Sequence, residues 1–209
     1  MPYTLYGAPG SGSGIIEAAC AEMGIQVVLR ALDAQRDEHR GAAYAASNPQ
    51  RKLPALVAED GEVLTESVAI LVTLDERHRG AGLLPPPGSP ERAQALRWMV
   101  FAASELYPLV ELIDYPGRFA SGAAAETLRA RAEGAWRERW RVLEGQIAGS
   151  PYLLATGFCA ADLYLTKLSV WLDGAWRRDH LPRIDALTGA VLARPALAEV
   201  WARHVRGER

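Results

Sequence analysis

The stretch YTLYGAPGSGSGIIEAACAEMGIQVVLRAL, Tyr3 to Leu32, decides the fold class. Its first residues, Tyr3 to Tyr6, form a short β-rich run. Gly7 to Gly14 interleave glycine, proline and serine, which punctuate regular structure rather than continue it. From about Ser13 to Met23 apolar residues recur at helical spacing, and IQVVLRAL then alternates as a strand does. Strand, helix and strand within about 30 residues make a βαβ unit with a parallel pair.

Outward from this unit, the polar, alanine-rich stretch Asp33 to Ser47 predicts a loop and a short helix. LPALVAEDGEVLTES, Leu53 to Ser67, reads as a hairpin: Leu56 and Val57 in one strand, Asp60-Gly61 at the turn, Val63 and Leu64 in the return strand. Ser67 opens a helix to about His78, so the first part is β-α-β-α-β-β-α. GAGLLPPPGSP, Gly80 to Pro90, is a linker, because three consecutive prolines cannot continue a helix and hold the chain extended. Beyond Pro90 the pattern is helical. Leu96, Met99, Val100, Ala103, Leu106, Tyr107 and Val110 form one stripe, which Pro108 should kink. Leu128, Ala132, Trp136, Trp140, Leu143 and Ile147 form another. ADLYLTKLSVWL, Ala161 to Leu172, is apolar on most faces and reads as the central helix of a bundle. Ile184 to Ala193 and Ala196 to Val205 complete the set. The expected architecture is an α/β domain over residues 1–80, a linker over 81–90 and an all-α domain over 91–209.

The bulk numbers restrict function. The 209 residues are 49% hydrophobic and 23% charged, with a formal net charge of -2, which gives no electrostatic reason to expect nucleic acid or an anionic membrane surface. No apolar run approaches the roughly 18 residues needed to span a bilayer. MPYTLYG lacks a basic segment followed by an apolar one and does not read as a signal peptide. The two cysteines, Cys20 and Cys159, sit in apolar surroundings and read as buried free thiols, which points to a cytoplasmic protein. The four histidines, His39, His78, His180 and His204, have no ligand-type spacing with the cysteines, so no metal is expected.

Several loop chemistries fail on the residues of Gly7 to Gly14. Gly7 and Gly12 have the spacing of a phosphate loop, but Ser13 stands where its lysine belongs. Ile15 replaces the third glycine or alanine of a dinucleotide fingerprint, and neither Ser11 nor Ser13 has the flanking glycines of a nucleophile elbow. The helix terminus remains. A helix starting near Ser13 presents unpaired N–H groups and partial positive charge to an anion. If the anion is a thiolate, the Ser11 hydroxyl can donate to it; alternatively Ser11 or Ser13 simply caps the helix. Two further motifs bear on the choice. NPQRKLPALV sets Pro54 directly before a strand; a cis Leu53–Pro54 bond would turn the Leu53 backbone toward the first loop, to pair with a peptide-like ligand, whereas a trans proline would merely start the strand. LTESVAIL places Ser67 at a helix start, where it can bind a carboxylate or act as a plain cap, with Glu66 beside it to accept from an ammonium.

LYGAPGSGS, KLPALV, LTESVAI, GFCAADLYL and LARPAL, in this order, resemble the glutathione transferase superfamily, in its soluble, two-domain, serine-type, bacterial-like form. The resemblance spans essentially the whole chain. It implies a thioredoxin-like first domain, an all-helical second one and glutathione as co-substrate, without a metal. It further implies that Ser11 faces the glutathione sulfur as the catalytic residue, with Ser13 as a second candidate donor. Leu53, after a cis Pro54, would hold the cysteinyl backbone, and Glu66 and Ser67 the γ-glutamyl end. Lys52, Arg51 or Gln35 would assist the glycine carboxylate. Tyr107 and Trp171 are candidates for an apolar co-substrate cleft. The implied activity is attack of the glutathione thiolate on a hydrophobic electrophile, as in detoxification, by a homodimer. Glutathione-dependent peroxidase or isomerase chemistry and non-catalytic binding are the alternatives. The chain departs from the family pattern in two places: Cys159 stands where many relatives have the serine of a capping box completed here by Asp162, and the first helix lacks an arginine near Ile15 or Ile16.

Overall fold

Tyr3 and Leu5 alternate with Thr4 and Tyr6 in β1 (Tyr3–Gly7), so the first pair faces the core and the second is half-buried. In this computed structural model, which describes residues 2–34 and 36–205, β1 pairs in parallel with β2 (Val27–Ala31) through helix α1 (Ser13–Glu22). The βαβ expectation therefore holds. Gln35 lies outside the described residues. After a short helix α2 (Ala42–Ala45), β3 (Ala55–Val57) runs antiparallel to β1 and forms a hairpin with β4 (Val63–Thr65), giving the strand order β2-β1-β3-β4. Gly61, at φ +87°, supplies the left-handed position that the hairpin turn requires. α3 (Ser67–Arg77) follows directly. This mixed four-stranded sheet with its helices is thioredoxin-like.

Beyond the prolines the chain is helical: α4 (Pro90–Phe101), α5 (Tyr107–Asp114), α6 (Ala123–Glu144), α7 (Ala160–Ser169), α8 (Gly174–His180), α9 (Pro182–Leu192) and α10 (Ala198–His204). Pro108 disturbs the first of these, as its missing N–H requires. A π turn, Ala102–Leu106, separates α4 from α5. The stripe read from sequence is not wholly inward. Met99 and Leu106 are buried, but Val100 is 53% exposed, and Ala102 takes a core position instead. At about 100° per residue, Ala95, Trp98, Met99 and Ala102 fall on one arc of the helix and Val100 on the opposite side, and the π turn shifts the register further.

α7 is the central helix: every residue from Ala160 to Ser169 is buried. Its capping box forms with a thiol in the serine's place. Asp162 supplies the stronger half, with one carboxylate oxygen accepting from Cys159 N–H and the other from Leu153 N–H, each at 2.8 Å. Burial pushes the Cys159 thiol up, and pushes the Cys20 thiol up to about 12, so both stay neutral and unreactive near neutral pH.

The contacts divide the chain into two compact units: residues up to Pro87 together with those from Val191 onward, and Gly88–Ala190. The C-terminal segment, which the sequence groups with the helical part, thus clusters with the sheet. The reason is electrostatic as well as apolar. Arg194 forms an ion pair with Glu22, at 2.9 Å through Nε, and Arg203 Nε donates to Glu17 at 2.8 Å. His204 Nε2 meets the other Glu17 oxygen at 2.9 Å, and its ring lies against Gly14, where a Cβ would stand 2.7 Å from the ring. Glu17 is a buried carboxylate in the middle of α1. Burial pushes it up, but the hydrogen bonds and charges of His204 and Arg203 outweigh this and hold it below the usual carboxylate range. A depressed folded-state pKa contributes stability above the unfolded value, lost as pH falls through the folded one. Unfolding free energy should therefore drop from about pH 5 downward, and Glu17→Gln should flatten that decline while lowering stability at pH 7. Urea denaturation between pH 3 and 7 measures both effects; parallel curves for the two proteins would contradict the assignment.

Candidate functional site

The strand register gathers the three motifs at one end of the sheet. Tyr6 pairs with Ala55, and Ala55 with Thr65. The residues just past these partners are therefore neighbours: the loop after Gly7, the Leu53–Pro54 entry to β3 and the Glu66-Ser67 exit from β4. With strands about 4.8 Å apart, the three lie side by side across about 10 Å. Such a row matches the length of an extended peptide of about three residues.

The loop is closed by backbone bonds, Ser11 N–H to Ala8 C=O at 3.0 Å and Gly14 N–H to Ser11 C=O at 3.3 Å. The two serines differ in position. Ser13, the first residue of α1, is 1% exposed and fully engaged: its hydroxyl donates to Ala8 C=O at 3.3 Å and accepts from Ala8 N–H at 3.2 Å. Ser11 is half-buried, and its Oγ lies 2.8 Å from that of Ser13. Ser11 Oγ also accepts from the Ala8 and Ser13 N–H groups at 3.3 and 3.2 Å. The Ser11–Ser13 contact takes one proton: when Ser13 turns from Ala8 C=O to donate to Ser11 Oγ, the Ser11 proton is left for a further acceptor, and the donors on its oxygen make it a better donor.

Gly7 is indispensable to this geometry. A Cβ placed there would stand 2.6 Å from Ser13 Cβ and overlap its hydroxyl. Gly7→Ala should cost about 1–3 kcal/mol by overpacking and push Ser13 off the loop. Denaturant unfolding reads the loss; unchanged stability would show that the loop tolerates the shift.

The Leu53–Pro54 bond is cis. Pro54 is buried and Leu53 half-buried, while Lys52 and Arg51 are exposed, Arg51 with φ +57°. Neither main-chain group of Leu53 bonds another described residue. At the third motif Glu66 adopts φ +63°, a backbone conformation that costs a non-glycine residue about 1–3 kcal/mol. Glu66 is exposed and makes no side-chain cap; Ser67 is the first helical residue rather than the cap, and its hydroxyl bonds no other described residue. Plain capping therefore does not explain this pair. The start of α3 offers a hydroxyl, and Glu66 beside it offers a carboxylate.

Tyr107 and Trp171 belong to the second unit, where their rings meet edge to face with centroids 5.7 Å apart, and the Lys167 ammonium lies 4.8 Å from the Trp171 ring centre. Ile15 and Ile16 are fully buried, so neither position has room for an arginine. Two residues near the site carry no motif signal in sequence. Tyr44 and Asn48 both reach the Lys52 carbonyl, the phenol at 2.7 Å and the amide at 2.8 Å. Only the Asn48-Pro49 turn signal points to either of them. Among the described residues no cluster of side chains suits a metal ion, and no helix is long and apolar enough to cross a membrane.

A family description, Glutathione S-transferase, N-terminal domain, matches residues 15–77. The GST-like protein YncG of Escherichia coli (strain K12) is 32% identical over 207 residues, covering 96% of this chain and 97% of that protein. The maleylacetoacetate isomerase of Pseudomonas aeruginosa is 38% identical over 199 residues, covering 84% and 87%. Among solved structures, a glutathione transferase homolog from Sulfitobacter, with bound glutathione, superposes with a TM-score of 0.89 at 28% identity, covering 98% of this chain and 99% of that one.

Proposed function

Because the chain belongs to the glutathione transferase family, we propose that it binds glutathione across the β1–β3–β4 end of the sheet and ionises its thiol beside Ser11. The observation that carries this reading is the register Tyr6–Ala55–Thr65, which aligns a hydroxyl donor, the Leu53 N–H and C=O, which bond no other described residue, and the Glu66-Ser67 pair in one row. Each suits one part of the tripeptide. Ser11 donates to the sulfur. Leu53 N–H and C=O pair with the cysteinyl backbone after Pro54. Glu66 takes the γ-glutamyl ammonium, and Ser67 its carboxylate. Lys52, with Arg51, faces the glycine carboxylate. Ser13 acts through Ser11, since its hydroxyl is buried and already engaged.

The reaction is conjugation. The thiolate attacks an electrophilic carbon, a C–S bond forms, and a leaving group such as halide departs with the bonding pair. The thiol proton goes to solvent. Tyr107 and Trp171, an aromatic pair of the second unit, are the candidates for recognising the electrophile, since such a pair suits a hydrophobic, planar compound. We assign the protein to the cytoplasm and to detoxification. We also propose a homodimer, in which Val63 of the first unit and Val100 and Val142 of the second, all exposed, are covered by a second copy. Sedimentation equilibrium tests that assignment, and a monomer at micromolar concentration would refute it. The isomerase relative supports a second reading, in which the same thiolate adds reversibly to a double bond and leaves again.

The test combines tryptophan-fluorescence titration with glutathione and an aryl-halide conjugation assay. Saturable binding with conjugation supports the transferase reading. Binding without conjugation, but with cis–trans isomerisation of an unsaturated diacid, supports the second. Absence of binding removes both.

A further inference from the structure

We propose that Tyr44 and Asn48 are positioning residues that orient and polarise the Lys52–Leu53 peptide, so that its N–H is aimed at the bound tripeptide. This deepens the glutathione reading and rests on it for the identity of the ligand.

The Lys52 carbonyl and the Leu53 N–H belong to one rigid peptide plane, so fixing one end fixes the direction of the other. The carbonyl end is held twice. Tyr44 Oη donates to it at 2.7 Å and Asn48 Nδ2 at 2.8 Å. A carbonyl oxygen has two lone pairs, and here both are used. The donors are themselves locked. Tyr44 is 4% exposed, in the helix just after Gly41, with its ring 5.5 Å from that of Tyr6 on β1. Asn48 is 2% exposed, and its Oδ1 accepts from Gln50 N–H at 3.0 Å while its own carbonyl accepts from Arg51 N–H at 2.9 Å. The amide therefore closes the turn with one end and holds Lys52 with the other.

The far end of the same plane has no partner among the described residues: Leu53 N–H bonds none of them. A peptide with two donors on its oxygen and none of its acceptor needs met at nitrogen is preset for an incoming carbonyl. Two hydrogen bonds to the oxygen withdraw density from the amide and strengthen the bond its N–H can donate. Burial pushes the Tyr44 phenol above its ordinary range, which keeps it a donor across the working pH.

Two measurements test the clamp, on Tyr44→Phe and Asn48→Ala in the full chain. The first is ligand-free: the proton chemical shift of the 15N-labelled Leu53 amide should move upfield in each variant, because the carbonyl has lost a donor. The second is the glutathione titration. Each variant should bind about three- to tenfold more weakly and raise KM for glutathione by the same factor, as expected for one hydrogen bond. The pH profile of kcat should be unchanged, since the thiolate sits beside Ser11. General disordering would instead lower kcat and distort that profile. An unmoved Leu53 amide in Tyr44→Phe, whose isosteric ring keeps the fold, overturns the proposal, as does wild-type affinity for glutathione in both variants. If the wild type binds no glutathione, the amide shift still decides the clamp, while the ligand assignment falls separately.

Discussion

Ser11→Ala will raise the pKa of the enzyme-bound glutathione thiol by about one to two units and lower kcat/KM near pH 6.5 by about ten- to a hundredfold. A hydrogen bond to a charged acceptor is worth about 1.5–3 kcal/mol, and each pKa unit corresponds to about 1.4 kcal/mol. Only a group that touches the sulfur delivers the whole of this. Ser11 is the half-buried hydroxyl of the loop and accepts from two backbone N–H groups, and with Ser13 donating to its Oγ its own proton is left for the sulfur. Ser13→Ala removes a hydroxyl from behind it and should shift the thiol by less than half as much, while lowering stability through the lost bonds to Ala8. Steady-state rates across pH 5.5–9 separate the two variants. Equal profiles would mean that the hydroxyls act as one unit, and a larger effect of Ser13→Ala would transfer the donor role to it.

Asp162→Ala will lower the unfolding free energy by about 3–5 kcal/mol, the largest loss expected from any single truncation in α7. Both carboxylate oxygens accept from buried main-chain N–H groups, those of Leu153 and Cys159, and the residue is wholly enclosed. Removing it strands two donors without water, each costing about 1–3 kcal/mol. For a chain of this size the midpoint of thermal unfolding should fall by roughly 6–20 °C. Asp162→Asn, which keeps one acceptor, should lose about half as much. Calorimetry or thermal circular dichroism measures both. A loss below 1 kcal/mol would show that the start of α7 is held by packing alone.

Much of this organisation is legible in the residues. The order β-α-β-α-β-β-α follows from local chemistry: the β-branched Val27-Val28 run that opens β2, the Asp60-Gly61 turn and the helix opened at Ser67. Pro54 before a strand and Glu66-Ser67 before a helix mark two-thirds of the candidate site, because both are short-range signals. What is not legible is long-range. Arg194 and Arg203 meet Glu22 and Glu17 across sequence separations of 172 and 186 residues, and no periodicity announces that the C-terminal segment returns to α1. Val100 fits a helical stripe on paper but faces out, since the inward arc is the one shared by Ala95, Trp98, Met99 and Ala102. Cys159 looks unsuited to start α7, yet the box forms because Asp162 accepts from the Cys159 N–H whatever side chain that residue carries. Tyr44 and Asn48 escape notice because their partner is a main-chain carbonyl, which no side-chain motif records.

The most direct test of the account is the ultraviolet thiolate absorbance of glutathione bound to the wild-type protein, followed from pH 5 to 10. Stabilisation of the thiolate by Ser11 and the start of α1 requires a midpoint about two units below the roughly 8.5 of a free thiol. A midpoint at the free value, with binding intact, would contradict it.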